Sequence, residues 1–373
     1  MEKVLSTLEF NSGKVVAETL LRELVNRNLT ISVAEGCSGG SILDSLTIPG
    51  ATKSFHVGGV FYSRRSKINL GVPEEIIDCY GEYSMETALH MAQAIQKINN
   101  DSFGIATVGN IEPTNDLNPR QIYLGFSSYD SKQWGEIVTL PSLTPRLLAK
   151  KQITYLSLEN VLFYLFGKDN VNISGHTLNA AMVTSSSAEE KQLSKISQTL
   201  VNKLRGYNLK ISTMESCTGG AIANAITDIS GASNVYDSGW VAYDENIKAQ
   251  LGVPLLTMSH GVYTEKVSLE MARAILNKTD SDIAIATTGT MDTMDTRPFH
   301  NDTSPGTVFI TVFYRNRKPL VCKLNLRVKS REQMKIEIAS LALELVIQMI
   351  EKSEMKLLVP RQWDNNFIVV SRG

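Results

Sequence analysis

Met214-Glu215-Ser216-Cys217-Thr218-Gly219-Gly220 repeats, 180 residues downstream, the pattern of Ala34-Glu35-Gly36-Cys37-Ser38-Gly39-Gly40. Further landmarks recur in the same order around it. Gly59-Val60-Phe61-Tyr62 and Lys67 correspond to Trp240-Val241-Ala242-Tyr243 and Lys248 at an offset of 181. Leu70-Gly71-Val72-Pro73 and Leu251-Gly252-Val253-Pro254 keep that offset, while Met91-Ala92 with Met271-Ala272 and Thr107-Val108-Gly109 with Thr287-Thr288-Gly289 return to 180. So steady an offset reflects inheritance rather than composition. A period this long is a duplicated domain and not a solenoid array.

The second copy shows the grammar of each domain. Leu193, Ile196, Leu200 and Leu204 step by three and four, as one helix face requires. The β-branched run Leu209-Lys210-Ile211-Ser212-Thr213 leads into the glycine turn, and Ala221 to Ile226 continues as a helix. Gly239 to Tyr243 predicts a strand, a polar helical segment carries Lys248, and another helix runs from Glu265 to Leu276. Ile283 to Thr287 predicts a buried strand ending at Thr288-Gly289. Pro305 to Val312 and Leu320 to Leu324 predict a hairpin, and Met334, Ile338, Leu341, Leu345 and Met349 a closing helix. Strands alternating with helices predict a three-layer α/β/α domain, duplicated in tandem. The expected divisions are 10–166 for the first copy, 190–352 for the second and 353–373 for a tail, with a polar, turn-rich boundary near 167–188.

Composition excludes several classes of function. The chain has 373 residues, 43% hydrophobic and 20% charged, with 37 basic against 38 acidic residues, so it offers no electrostatic footprint for nucleic acid or for an anionic membrane. Its four cysteines, Cys37, Cys79, Cys217 and Cys322, are too few and scattered for a disulfide framework. Neither a signal-peptide layout nor a run of about 20 apolar residues is present, and the expectation is a cytoplasmic protein.

The glycine turn between strand and helix lets backbone approach a ligand, and the helix start is expected to offer free N–H groups to a phosphate or an oxyanion. Alternatively, the turn simply needs glycine. Ser216 stands where the first copy has Gly36, so only the second copy keeps a hydroxyl at this point. It is either a helix cap or a nucleophile. The five histidines share no position between copies, which argues against a Ser-His-Asp triad and a His/Cys metal cluster. The shared pairs Tyr62/Lys67 and Tyr243/Lys248 suggest a lysine base, the Ser-Lys variant of nucleophilic catalysis. Their alternative reading is a surface lysine beside a core aromatic. Arg146 and Arg331 form a third shared pair, suited to a phosphate or carboxylate, or else solvated.

Taken together, Glu215-Ser216-Cys217-Thr218-Gly219-Gly220, Val241-Ala242-Tyr243 with Lys248, Leu251-Gly252-Val253 and Gly306-Thr307-Val308 resemble the CinA carboxy-terminal domain family. The resemblance covers about 190–350 well and about 10–165 more weakly. Its active members are nicotinamide mononucleotide deamidases, which hydrolyse the carboxamide to nicotinate mononucleotide and ammonia without a metal or cofactor. The resemblance implies Ser216 as nucleophile with Tyr243 and Lys248 as activating partners, and a substrate site lined by Glu215, Thr218, Gly219, Gly220, Thr288, Gly289 and Arg331. In the first copy it implies a degenerate pocket of Gly36, Ser38, Gly39, Gly40, Tyr62, Lys67 and Arg146. The family's Gly-Pro-Gly loop is replaced by Thr290-Met291-Asp292-Thr293-Met294-Asp295, whose acids oppose a phosphate.

Three functions follow as alternatives. The first is a deamidase acting on a pyridine nucleotide through the second copy, the pair forming an intrachain pseudo-dimer that can associate further. The second is a catalytically silent nucleotide-binding or regulatory protein. The third is an amidase for another nicotinamide-like substrate.

Overall fold

The computed structural model describes residues 13–113, 120–166, 186–291 and 304–351, together with the backbone of 367–372. The chain divides into two compact units, Met1–Ser185 and Ser186–Gly373.

The first unit opens with α1 (Gly13–Asn26), whose buried face is Val16, Ala17, Leu20, Leu21 and Leu24. It continues through β1 (Ile31–Glu35), α2 (Ser41–Leu46), β2 (Phe55–Phe61), α3 (Arg64–Leu70), α4 (Glu74–Tyr80) and α5 (Met85–Asn99). The remaining elements are β3 (Phe103–Gly109), β4 (Arg120–Ser128), β5 (Gln133–Leu140) and α6 (Arg146–Leu165). Strand order is β2-β1-β3-β4-β5. The first three strands are parallel, and β4 and β5 return antiparallel as a hairpin. Helix α5 packs on one side of this sheet, and α1, α2 and α6 pack with one another on the other.

The second unit repeats the plan. Its elements are α7 (Ala188–Gly206), β6 (Ile211–Glu215), α8 (Ala221–Thr227), β7 (Tyr236–Ala242), α9 (Glu245–Gln250), α10 (Leu255–Met258), α11 (Glu265–Lys278), β8 (Ile283–Gly289), β9 (Thr307–Tyr314), β10 (Leu320–Asn325) and α12 (Arg331–Glu351). The order β7-β6-β8-β9-β10 reproduces that of the first unit, again with three parallel strands and an antiparallel hairpin. The tail adds β11 (Phe367–Arg372), antiparallel to β10, a strand the sequence reading leaves as an unassigned tail. The predicted duplicated α/β/α architecture is therefore what the chain adopts.

Helices on both faces explain why β6, β7 and β8 are buried along their whole lengths. A polar residue inside such a strand must find a partner within the protein. Ser212 shares a hydrogen bond with Ser281 at 2.6 Å, and Thr213 with the Tyr236 hydroxyl at 2.8 Å. From the end of β6 the chain passes first to β7 on one side and later to β8 on the other. That arrangement leaves a crevice beyond the carboxyl ends of the parallel strands, the usual ligand position in open α/β sheets.

Candidate active site

Ser216 follows β6 directly, so strand pairing fixes where it stands. Glu215 lies level with Val241 of β7 and Thr287 of β8, which brings the ends of three strands together. The Ser216 N–H continues the ladder by donating to the Thr287 carbonyl at 2.9 Å, and the chain then turns sharply through Gly219 and Gly220. Both glycines have positive φ, 58° and 98°, a region costly for any residue with a Cβ.

Glu215 holds this turn. Its carboxylate accepts hydrogen bonds from the N–H groups of Gly220 at 3.0 Å, Ile222 at 3.1 Å and Ala223 at 2.9 Å. It is fully buried; burial raises its pKa above the usual carboxylate range, and the donated N–H bonds pull the other way. One expectation is corrected here. The start of α8 does not offer those N–H groups to a ligand anion, because a side chain from the preceding strand already occupies them. Glu215 accordingly shapes the turn from a fully buried position. The first unit does the same thing, with Glu35 accepting from Gly40, Ile42 and Leu43 at 2.9, 3.2 and 2.8 Å.

Two threonines are likewise committed within the fold. Thr218 Oγ1 lies 2.7 Å from Thr287 Oγ1, and the Thr288 hydroxyl donates to the Val262 carbonyl at 2.9 Å, all three residues being fully buried. Gly289 ends β8 close against β9, where an added Cβ would come within 2.5 Å of the Thr307 carbonyl. Thr290 and Met291 follow it; positions 292–303, which carry the remainder of the acidic loop and His300, lie outside the described residues.

The helix-cap reading of Ser216 does not hold. The cap position of α8 belongs to Gly220, and no side chain caps there. Instead Lys248 Nζ donates to Ser216 Oγ at 3.3 Å and to the Ala242 carbonyl at 2.8 Å, with the Tyr243 carbonyl at 3.5 Å. Helix α9 sets this geometry. Asp244 caps it by accepting from Asn246 N–H, and one turn later Lys248 points back over the end of β7. Lys248 is 0% exposed and Ser216 only 5%, so the surface-lysine reading fails as well.

Tyr243 and Arg331 complete the cluster. Arg331, the first residue of α12, donates through Nη2 to the Tyr243 hydroxyl and lies over its ring at 5.8 Å. Cys217, beside the serine, is a poor nucleophile, because burial pushes its thiol up to about 11. Among the described residues no group of three or more His, Cys, Asp or Glu comes together to hold a metal ion.

The first unit assembles the same positions into something different. Gly36 has no side chain, and a Cβ there would come within 2.5 Å of the Thr107 carbonyl. Ser38 keeps the place of Thr218, 2.6 Å from Thr107 Oγ1, and Gly39 and Gly40 keep positive φ. Lys67 is buried but forms an ion pair with Glu82 at 2.7 Å, its bond to the Tyr62 carbonyl being longer at 3.3 Å. Arg146 donates to the Tyr62 hydroxyl and pairs with Glu112 at 2.8 Å. Tyr62 itself is pushed up to about 12 by burial. Sequence reasoning missed Glu82 and Glu112, since neither belongs to a residue pair shared by the copies.

Comparison with known proteins agrees with the duplication. The CinA C-terminal domain profile matches twice, over residues 13–136 and 193–350. The chain belongs to the CinA C-terminal domain family. A putative competence-damage inducible protein of Thermoanaerobacter pseudethanolicus is 37% identical over 116 residues, which cover 30% of this chain and 28% of the relative. A CinA-like protein of Desulfosudis oleivorans is 30% identical over 156 residues, 40% of this chain and 37% of the relative. The chain thus spans well under half the length of these relatives. Among solved structures, the competence/damage inducible protein CihA of Agrobacterium tumefaciens is 28% identical with a TM-score of 0.41, covering 43% of this chain and 96% of that one. No described helix of this family member is long and apolar enough to cross a membrane.

Proposed function

We propose that the second unit is an amidohydrolase of the nicotinamide mononucleotide deamidase type, releasing ammonia and nicotinate mononucleotide through a serine–lysine pair. The observation that carries this reading is the 3.3 Å contact between Lys248 Nζ and Ser216 Oγ, in a buried setting, in the one copy that retains the hydroxyl. Removing an amine from water disfavours its ammonium form, which suits a base.

In the acylation step Lys248 takes the Ser216 proton while Oγ attacks the carboxamide carbon, and the resulting ammonium protonates the departing amide nitrogen. Water then attacks the acyl-enzyme, Lys248 accepts its proton, and Oγ leaves with that proton restored. Arg331 and Tyr243 orient the substrate, the guanidinium taking its phosphate. The first unit, with Gly36 and its paired Lys67 and Arg146, contributes no acyl chemistry. A second reading, an amidase for a non-phosphorylated nicotinamide derivative, is favoured by Asp292 and Asp295 in the loop sequence.

The test is an assay of the purified chain with nicotinamide mononucleotide, following ammonia and nicotinate mononucleotide, with Ser216→Ala as control. Turnover lost in that variant supports the deamidase. Absent turnover on the nucleotide with turnover on the nucleoside moves the reading to the second substrate, and none on either leaves a silent protein.

A further inference from the structure

The two units can be compared position by position, and one difference beside the lysine stands apart from the missing hydroxyl. Gly81-Glu82-Tyr83-Ser84 corresponds to Gly261-Val262-Tyr263-Thr264 at the repeat's offset of 180. The backbone agrees. Gly81 and Gly261 both have positive φ, 86° and 117°, and Ser84 and Thr264 both cap the following helix, accepting from Thr87 and Val267 N–H. Residues 82 and 262 therefore occupy equivalent places, yet one is a carboxylate and the other a buried valine.

The lysines respond to this difference. Lys67 Nζ lies 2.7 Å from Glu82 Oε2 and bonds only the nearer carbonyl, that of Tyr62 at 3.3 Å. Lys248 Nζ instead sits 2.8 Å from the Ala242 carbonyl and reaches Ser216 Oγ. A lysine drawn into an ion pair is held at the carboxylate and is not free to turn to a hydroxyl beside it. We infer that residue 262 is a positioning residue for the reaction: an apolar side chain there leaves the lysine on the serine hydroxyl, whereas a carboxylate there, as at Glu82, draws it into an ion pair and silences the site. The inference rests on the serine–lysine reading above for its kinetic consequence, but not for its geometry.

The first copy thus differs twice, at Gly36 and at Glu82, and restoring the hydroxyl alone leaves Lys67 in its ion pair. Among the described residues, ionisable groups at the second site include Glu215 and Cys217 at the turn, Tyr243 after β7 and Arg331 on α12. They are unchanged by a substitution at 262.

The experiment compares Val262→Glu with Val262→Gln in the full chain. The glutamine matches the glutamate in shape and lacks its charge. Deamidation by V262E is expected to fall roughly 100-fold at neutral pH and to recover toward alkaline pH, because the carboxylate favours the ammonium form and moves the acid limb of the rate profile upward. V262Q is expected to keep most of the turnover with an unmoved profile. Equal losses in both variants, or a V262E profile with no alkaline recovery, would overturn the inference. The reciprocal variant Glu82→Val guards against misfolding of a buried glutamate and against the absence of turnover in the parent chain. Its crystal structure is expected to show Lys67 Nζ moved to the Phe61 carbonyl, as Lys248 bonds Ala242. A lysine that stays where Glu82 held it would refute the positioning role whatever the substrate proves to be.

Discussion

Replacing Glu215 tests whether one buried carboxylate builds the turn that presents Ser216. Its Oε2 accepts from Gly220 and Ile222, and its Oε1 from Ala223. In Glu215→Gln the amide oxygen can take the place of Oε2, but the NH2 then faces the Ala223 N–H across a 2.9 Å contact, donor against donor. The flipped amide loses two bonds instead of one. A buried N–H left without an acceptor costs about 1–3 kcal/mol, so the glutamine variant should lose about that much local stability. Glu215→Ala strands all three donors and should lose at least about 3 kcal/mol. Amide hydrogen exchange reads this directly, because it resolves local opening in a chain of two units where a single melting curve does not. Protection at Gly220, Ile222 and Ala223 should drop roughly 10- to 100-fold in the glutamine variant, at about 1.4 kcal/mol per tenfold. Glu35→Gln provides an internal control, since its three bonds match in partner and length, and it should lose protection at Gly40, Ile42 and Leu43 by a similar factor. Turnover should suffer only from the change at 215. Wild-type protection in Glu215→Gln would show that the carboxylate does not hold the turn.

Further outcomes are expected. Ser216→Ala should retain the wild-type melting curve and lose at least about 10⁴-fold in turnover, as removal of a covalent nucleophile does; a loss under tenfold would exclude the acyl-enzyme. Lys248→Met keeps the length of the side chain without its amine and should lose comparable activity, measured as kcat under saturating substrate. Gly36→Ser should create no second active site and should destabilise the first unit by more than about 1 kcal/mol, because the new Cβ meets the Thr107 carbonyl at 2.5 Å; urea unfolding and burst stoichiometry check both points. Burial pushes the thiols of Cys37 and Cys322 up to about 12 and that of Cys217 up to about 11, whereas Cys79 is exposed. Iodoacetamide at pH 8 should therefore label one of the four cysteines in the native chain and all four after denaturation, counted by mass spectrometry.

Much of the architecture was legible because the sequence states it twice. The run from Ile283 to Thr287 and the hairpin of Val308 and Leu324 fall inside β8, β9 and β10, and the Met334–Met349 spacing falls inside α12. Buried parallel strands and amphipathic helices leave periodic traces in any sequence. The strand β11 went unassigned although Phe367-Ile368-Val369-Val370 is an aromatic and β-branched run; what the run does not state is the edge it pairs with, that of β10. At the site, the sequence named Ser216, Tyr243, Lys248 and Arg331, and the structure brings them into contact as two pairs. It did not reveal that Glu215 holds the turn, because a carboxylate next to a glycine turn reads equally well as a ligand contact or as a cap.

By itself, then, the sequence determined the duplication, the alternation of elements and the loss of the hydroxyl at Gly36, all of which are properties of order along the chain. Only the tertiary structure decided what the shared residues do. Lys67 and Lys248 are the same residue in the same local sequence position, yet one is paired with Glu82 and the other reaches Ser216. Their difference comes from a residue on a separate segment, 15 positions from Lys67 in the chain and 2.7 Å from it in space. A buried amine takes the character of whatever lies within hydrogen-bonding distance, and that distance is set by folding.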